Sequence, residues 1–175
     1  MNTLLIVLLI VLLIAAVITA AGYLMPAQIS FSESVVIDRQ AAEIFPYLGD
    51  FEQFVTWSPW SEKDPNMTKT IEGERLSFGH KYAWKGNNKV GEGSMEITHI
   101  EANREIDILL NFGPRGNSET QFILEPTNGS TLVKWTFSTD LGTSPAARLF
   151  GPMMRKFIQK DYANGLQKLK QLVEK

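Results

Sequence analysis

The candidates for proton transfer in this chain are Asp64, Glu92, Glu96 and Asp161, with His80 and His99 as its two histidines. General acid–base chemistry needs two such groups within hydrogen-bond reach of one reacting atom. Nothing in their spacing pairs them. The histidines fall on different expected strands, and neither has an Asp, Glu or second His at metal-ligand spacing, so structural or surface roles are expected of both. No G-x-S-x-G elbow, H-E-x-x-H pair or phosphate-binding glycine loop is present. Gly91-Glu92-Gly93 looks like a fragment of a glycine-rich loop but lacks the helix that should follow, so it reads as a bulged or closely packed strand. The absence of cysteine removes thiolate nucleophiles, disulfides and zinc–sulfur sites together. No catalytic residue, metal ligand or cofactor is therefore expected, and the carboxylates read as solvated surface groups.

The conspicuous side chains are aromatic. Trp57-Ser58-Pro59-Trp60 places two indoles on one proline-containing loop. They either pin that loop to the core or form a rim at the mouth of a ligand cavity.

The elements that must position these residues follow from periodicity. Gln28–Asp38 is rich in β-branched residues and predicts a first strand. Asp38 is placed to cap a helix over Arg39–Leu48, with Pro46 kinking or splitting it. Phe51–Val55 predicts a further helical turn. Strands are expected at about 67–72, 80–85, 89–101, 105–113, 118–126 and 131–140, with hairpin signals at Gly86-Asn87-Asn88 and Asn128-Gly129. Alternation puts Tyr82 with Trp84, Met95 with Ile97, Ile106 with Ile108, Leu110 and Phe112, and Phe122 with Leu124 on shared faces, and it aligns Val133, Trp135 and Phe137. A short turn is expected to run from Ser144-Pro145 to Phe150 and to be broken by Gly151-Pro152. A long amphipathic helix then carries Met153, Met154, Phe157, Ile158, Tyr162 and Leu166 at helical spacing. Gly165 inside it signals a close approach to the sheet. This order describes an α+β domain whose antiparallel sheet must wrap the last helix to bury both apolar faces, leaving a tapering cavity between them.

The first part of the chain is different. Thr3–Leu24 has no charged residue and contains seven Leu, four Ile and three Val. As a helix it is roughly 33 Å long, enough for a ~30 Å hydrocarbon core, and it is apolar on every side. Residues 1–27 are read as a single-pass anchor and 28–175 as one domain set close to the bilayer, since Pro26 ends the helix and no long linker follows. A secretory signal peptide is the competing reading. Against it, Met1-Asn2-Thr3 has no basic n-region and the run exceeds the usual ~7–15-residue apolar stretch, although Thr19-Ala20-Ala21 offers a weak cleavage site. A two-residue tail most simply stays inside, which places the domain outside the cytoplasm. The net charge of −2 gives no basic face for nucleic acid.

The sequence resembles the SRPBCC superfamily of START-like, helix-grip proteins, and within it the polyketide cyclase/dehydrase-like group. The residues carrying the likeness are Val36-Ile37, Phe45-Pro46-Tyr47-Leu48, Asp50-Phe51-Glu52, Trp57-Ser58-Pro59-Trp60 and Asp64-Pro65-Asn66. Tyr82-Ala83-Trp84, Gly91-Glu92-Gly93-Ser94-Met95, Thr131-Val133-Trp135 and the helix over 161–169 continue it. The resemblance implies a helix-grip fold and a hydrophobic cavity that takes a lipid, polyketide or quinone-like molecule. The ligand-contacting set expected from it is Trp57, Trp60, Tyr82, Trp84, Met95, Ile108, Leu110, Phe122, Trp135, Met154, Phe157 and Ile158. The leading expectation is a membrane-anchored binder or carrier of a hydrophobic small molecule, contacting the bilayer through residues 3–24. The alternatives are a cyclase/dehydratase- or hydrolase-type enzyme using polar groups in the same cavity, and an interaction module at the membrane surface.

Overall fold

A computed structural model describes residues 2–175. Helix α1 (Thr3–Leu24) leads through Met25-Pro26-Ala27 into strand β1 (Gln28–Ile37). Three short helices follow: α2 (Ala41–Gly49), α3 (Phe51–Trp57) and α4 (Pro59–Lys63). The meander is β2 (Thr68–Glu72), β3 (Lys81–Lys85), β4 (Glu92–Glu101), β5 (Glu105–Asn111), β6 (Asn117–Thr127) and β7 (Ser130–Asp140). Helix α5 (Pro145–Val173) closes the chain. All seven strands form one antiparallel sheet in the order β1-β7-β6-β5-β4-β3-β2, so the first strand pairs with the last.

The period-2 pattern sets the curved sheet's inner face. One row runs Phe31, Phe137, Thr120, Ile108 and Ile97 across five strands, and the next carries Trp135, Phe122 and Ile106. The β6–β7 hairpin turns on Asn128 and Gly129, both at positive φ (21° and 91°), as a two-residue turn requires. Helix α5 packs this face with Tyr162, Leu166 and Leu169, all fully buried.

Several local expectations differ from the structure. Asp38 caps no helix: α2 begins after Gln40, and Asp38 instead takes Ser130 Oγ on its carboxylate and donates its backbone N–H to Glu174. Trp57-Ser58-Pro59-Trp60 is not a loop, since only Ser58 separates α3 from α4 and Pro59 opens the second helix. Gly151-Pro152 does not break α5, which runs unbroken for 29 residues. Pro152 costs one backbone hydrogen bond, but Gly151 beside it is buried against Ile29 and Leu141, where a Cβ would stand 2.9–3.0 Å from their side chains. Tertiary contact overrides the local breaker.

Candidate functional site

Trp135 is the hub of the interior. Its ring stacks on Tyr162 of α5 (3.8 Å between centroids) and on Phe122 of the neighbouring strand (4.9 Å), and meets Trp57, Trp60 and Phe54 edge-on at 5.4–6.2 Å. The Phe122 stack and the edge-on contacts are the favoured arrangements of aromatic quadrupoles, and the Tyr162 ring lies closer, nearly face to face. The rings fill the space between the β6–β7 part of the sheet and α5. Trp57 is held there by its indole N–H, which donates to the Tyr47 carbonyl at 2.8 Å. Gly165 is the contact point of α5 with this cluster: a Cβ would stand 3.0 Å from the Trp135 ring and 3.1 Å from Pro59.

A polar node lies within this cluster. The Thr120 hydroxyl donates to the Thr136 carbonyl at 2.6 Å, which leaves its lone pairs for Trp135 Nε1–H at 2.8 Å and Tyr162 O–H at 3.0 Å. Burial raises the pKa of Tyr162. Tyr82 is likewise pushed up to about 12 by burial. The inner face therefore presents neutral phenols and no base in this cluster.

Beyond the cluster the inner face opens. Tyr82 and Trp84 stack at 5.7 Å, and Phe112 meets Trp84 edge-on at 6.0 Å. A cleft of about 390 Å³ lies here, bounded by Trp84, Gly93 and Phe112 with Lys85, Glu92 and Asn111 at its rim. Gly93 has a steric reason: a Cβ would be 2.8 Å from the Trp84 ring, so only glycine lets that indole lie flat on β4. The Arg115 guanidinium sits 5.9 Å over Phe112. A second cleft, also of about 390 Å³, lies where α1 meets the start of α5, between Ile18 and Thr19 on one side and Pro145, Ala146, Leu149 and Phe150 on the other.

The proton-transfer candidates are dispersed and engaged. Asp64 accepts the backbone N–H groups of Asn66 and Asn87 and ties the β3–β4 loop to α4. Asp161 pairs with Lys63. Glu92 lies 3.6 Å from Lys85, and Glu96 3.8 Å from Lys81. His80 is fully buried, stacked on Phe51 at 4.7 Å. Its Nε2 accepts the Phe51 N–H at 3.2 Å, so Nδ1 carries the proton and donates to the Glu72 carbonyl at 3.1 Å. His99 is exposed. Among the described residues, no three His, Cys, Asp or Glu side chains lie together to hold a metal ion.

Of the expected ligand-contacting residues, the structure gathers Trp57, Trp60, Phe122 and Trp135 in the aromatic cluster. Tyr82, Met95, Ile108 and Leu110 are buried along β3–β5, and Trp84 stands at the open cleft. Met154 and Ile158 are half-buried against the core. Phe157 is not brought among them: it is 63% exposed on the far side of α5. Two residues beside these lie outside the expected ligand-contacting set. Thr120 is the one polar side chain in phase with Phe122 and Leu124 that reaches the aromatic cluster, and that alternation is the signal that could have found it. Phe112 continues the phase of Ile108 and Leu110 past the end of β5.

A family model described as polyketide cyclase/dehydrase and lipid transport matches residues 28–174. In fold the chain is similar to Ara h 8.0201, at 13% identity and a TM-score of 0.60, over 83% of this chain and 97% of that one. It is also similar to protein CV1439 from Chromobacterium violaceum, at 13% identity and 0.59, over 86% and 99%. The Aha1 dimer from Colwellia psychrerythraea gives 19% and 0.61, over 83% and 96%. No curated protein matches the sequence.

Proposed function

We infer, because the chain belongs to the polyketide cyclase/dehydrase and lipid transport family, that it is a membrane-anchored binder or carrier of an apolar small molecule. The observation that carries this reading is the character of the inner face. It is ringed by aromatic and aliphatic side chains, its Thr120 node is satisfied internally, Asp64, Asp161 and His80 are engaged elsewhere, and Glu92 at the cleft rim lies beside Lys85. Such a surface favours burial of apolar area and offers little to a transition state. The mouth is the Trp84–Phe112 cleft, with Tyr82, Met95 and Leu110 behind it. The ligand is lipid-, polyketide- or quinone-like, and α1, long and apolar enough to cross a bilayer, holds the domain where such molecules partition.

Native mass spectrometry of the full chain extracted in mild detergent tests this. An apolar mass is expected to co-purify, and Trp84→Ala is expected to weaken its retention about tenfold, ~1.4 kcal/mol. A wild-type chain that carries nothing and binds no apolar fluorescent probe at micromolar concentration would overturn the reading.

A further inference from the structure

One face of α5 is apolar without facing the core. Ala146, Leu149, Phe150, Met153 and Phe157 recur at three- and four-residue intervals, so they share a side of the helix. Gly151, Tyr162, Leu166 and Leu169 lie on the other side and are buried against the sheet and short helices. At its N-terminal end the outward face is covered by α1. Ile18 and Thr19 flank Ala146, Leu149 and Phe150, and Gly22 lies so close to Pro145 that a Cβ would be 2.5 Å from its carbonyl oxygen. Past Phe150 the same face continues uncovered: Phe150, Met153 and Phe157 are 63%, 52% and 63% exposed.

Lys156 and Lys160 lie beside this stripe, and Asp161, one turn past Phe157, is taken up by its pairing with Lys63. From Leu141 to Lys160 there is no acidic residue, while Arg148, Arg155, Lys156 and Lys160 are all basic. Lys156 and Lys160 each follow a stripe residue, Met153 or Phe157, by three positions. Among the described residues Arg155, Lys156 and Lys160 form no ion pair. Ile18 and Gly22 fall within the last two turns of α1. At ~1.5 Å per residue they lie roughly 3–9 Å along the helix from Leu24, the depth of a bilayer's headgroup–acyl boundary if α1 spans. What packs on them shares that depth. We propose that the first half of α5 is an interfacial membrane helix, its Phe150–Met153–Phe157 stripe seated in the acyl boundary and its lysines on anionic headgroups. The apolar stripe with basic flanks is the pattern such helices use. The occupant is the lipid surface that α1 crosses, so the inference rests on the anchor reading above and adds a second point of attachment.

Because the chain has no cysteine, single nitroxides can be introduced cleanly. The full chain is reconstituted in phosphatidylcholine vesicles with and without phosphatidylglycerol, labelled at Met153→Cys, Phe157→Cys, Gln167→Cys or Ile10→Cys. Collisions with oxygen and with a water-soluble nickel chelate are measured by electron paramagnetic resonance. The expected result is a several-fold higher oxygen-to-nickel ratio at 153 and 157 than at 167, with 10 deeper than all. Lys156→Gln with Lys160→Gln is expected to lower the ratio at 157 where phosphatidylglycerol is present. Labels at 153 and 157 as aqueous as 167, with 10 in the bilayer, would overturn the docking while leaving the anchor standing. An aqueous label at 10 would remove the anchor and the docking together. Labels at 157 shielded from both reagents and broadened by a neighbouring spin would assign the stripe to a second copy and overturn the lipid assignment.

Discussion

Thr120 has one hydroxyl proton and two lone pairs, and the interior uses all three. Thr120→Val keeps the shape but leaves the Trp135 N–H and the Tyr162 O–H buried without an acceptor. Each orphan costs about 1–3 kcal/mol, so a loss of about 2–6 kcal/mol is expected. Tyr162→Phe removes one donor and orphans nothing, and should cost about 1 kcal/mol. Urea unfolding of the detergent-solubilised chain would measure both, and equal losses would contradict the node. The two buried tyrosines also set an alkaline limit. The Tyr82 pKa is raised by burial from 10.0 to about 12, and that of Tyr162 is raised too, so the folded chain keeps protons that the unfolded chain releases. Their contribution to stability is full below pH 10 and is lost as the pH climbs toward 12. The midpoint of unfolding should fall across that window, and less steeply in Tyr82→Phe. Tyrosinate absorbance followed together with circular dichroism checks this.

At the scale of elements, α5 is fixed by where it has no side chain. Gly165→Ala gains helix propensity of ~1 kcal/mol, but its methyl meets the Trp135 ring at 3.0 Å and Pro59 at 3.1 Å, and overpacking against rigid groups costs about 1–3 kcal/mol. Net destabilisation is expected, whereas exposed Asn164→Ala next to it should be neutral or stabilising; thermal melts of the pair decide. The same helix shows what was legible from sequence. β-Branched content and turn chemistry located all seven strands, and period-2 alternation assigned their faces, because side-chain phase and burial are set together along a strand. Periodicity and turn signals carried the order of elements, and the resemblance added the helix-grip family. Helix-spaced apolar residues proved ambiguous on α5: Tyr162 and Phe157 fit one period equally, yet one points to the core and the other to the outside, since this helix has two apolar faces. Pro152 misled for a related reason. Local rules register the lost hydrogen bond but not Gly151 packed on Ile29 and Leu141. Asp38 has the chemistry of a helix cap, and a partner 136 residues away, Glu174, takes its backbone N–H.

For the molecule as a whole, the junction of α1 with α5 decides how α1 sits against the rest of the chain. Gly22→Leu places a side chain where the Pro145 carbonyl and ring now stand, so α1 must separate from α5. Paired nitroxides on Ile14→Cys and Lys160→Cys are expected to show a longer and broader distance distribution in that variant. The melting temperature should change little, because the β1–β7 ladder is untouched. That ladder joins the first strand to the last: Gln28 pairs with Asp140, and the Leu141 N–H donates to the Ala27 carbonyl at 2.7 Å. Tether and gripping helix thus spring from neighbouring strands at the same end of the sheet. A pull on α1 away from α5 reaches the ladder at that end and loads its hydrogen bonds one after another, in the manner of a zip rather than a lap joint. Mechanical yielding would begin at the α1 end and travel up β1, releasing α5 from its contacts with that strand before the β2–β5 half of the sheet feels any force.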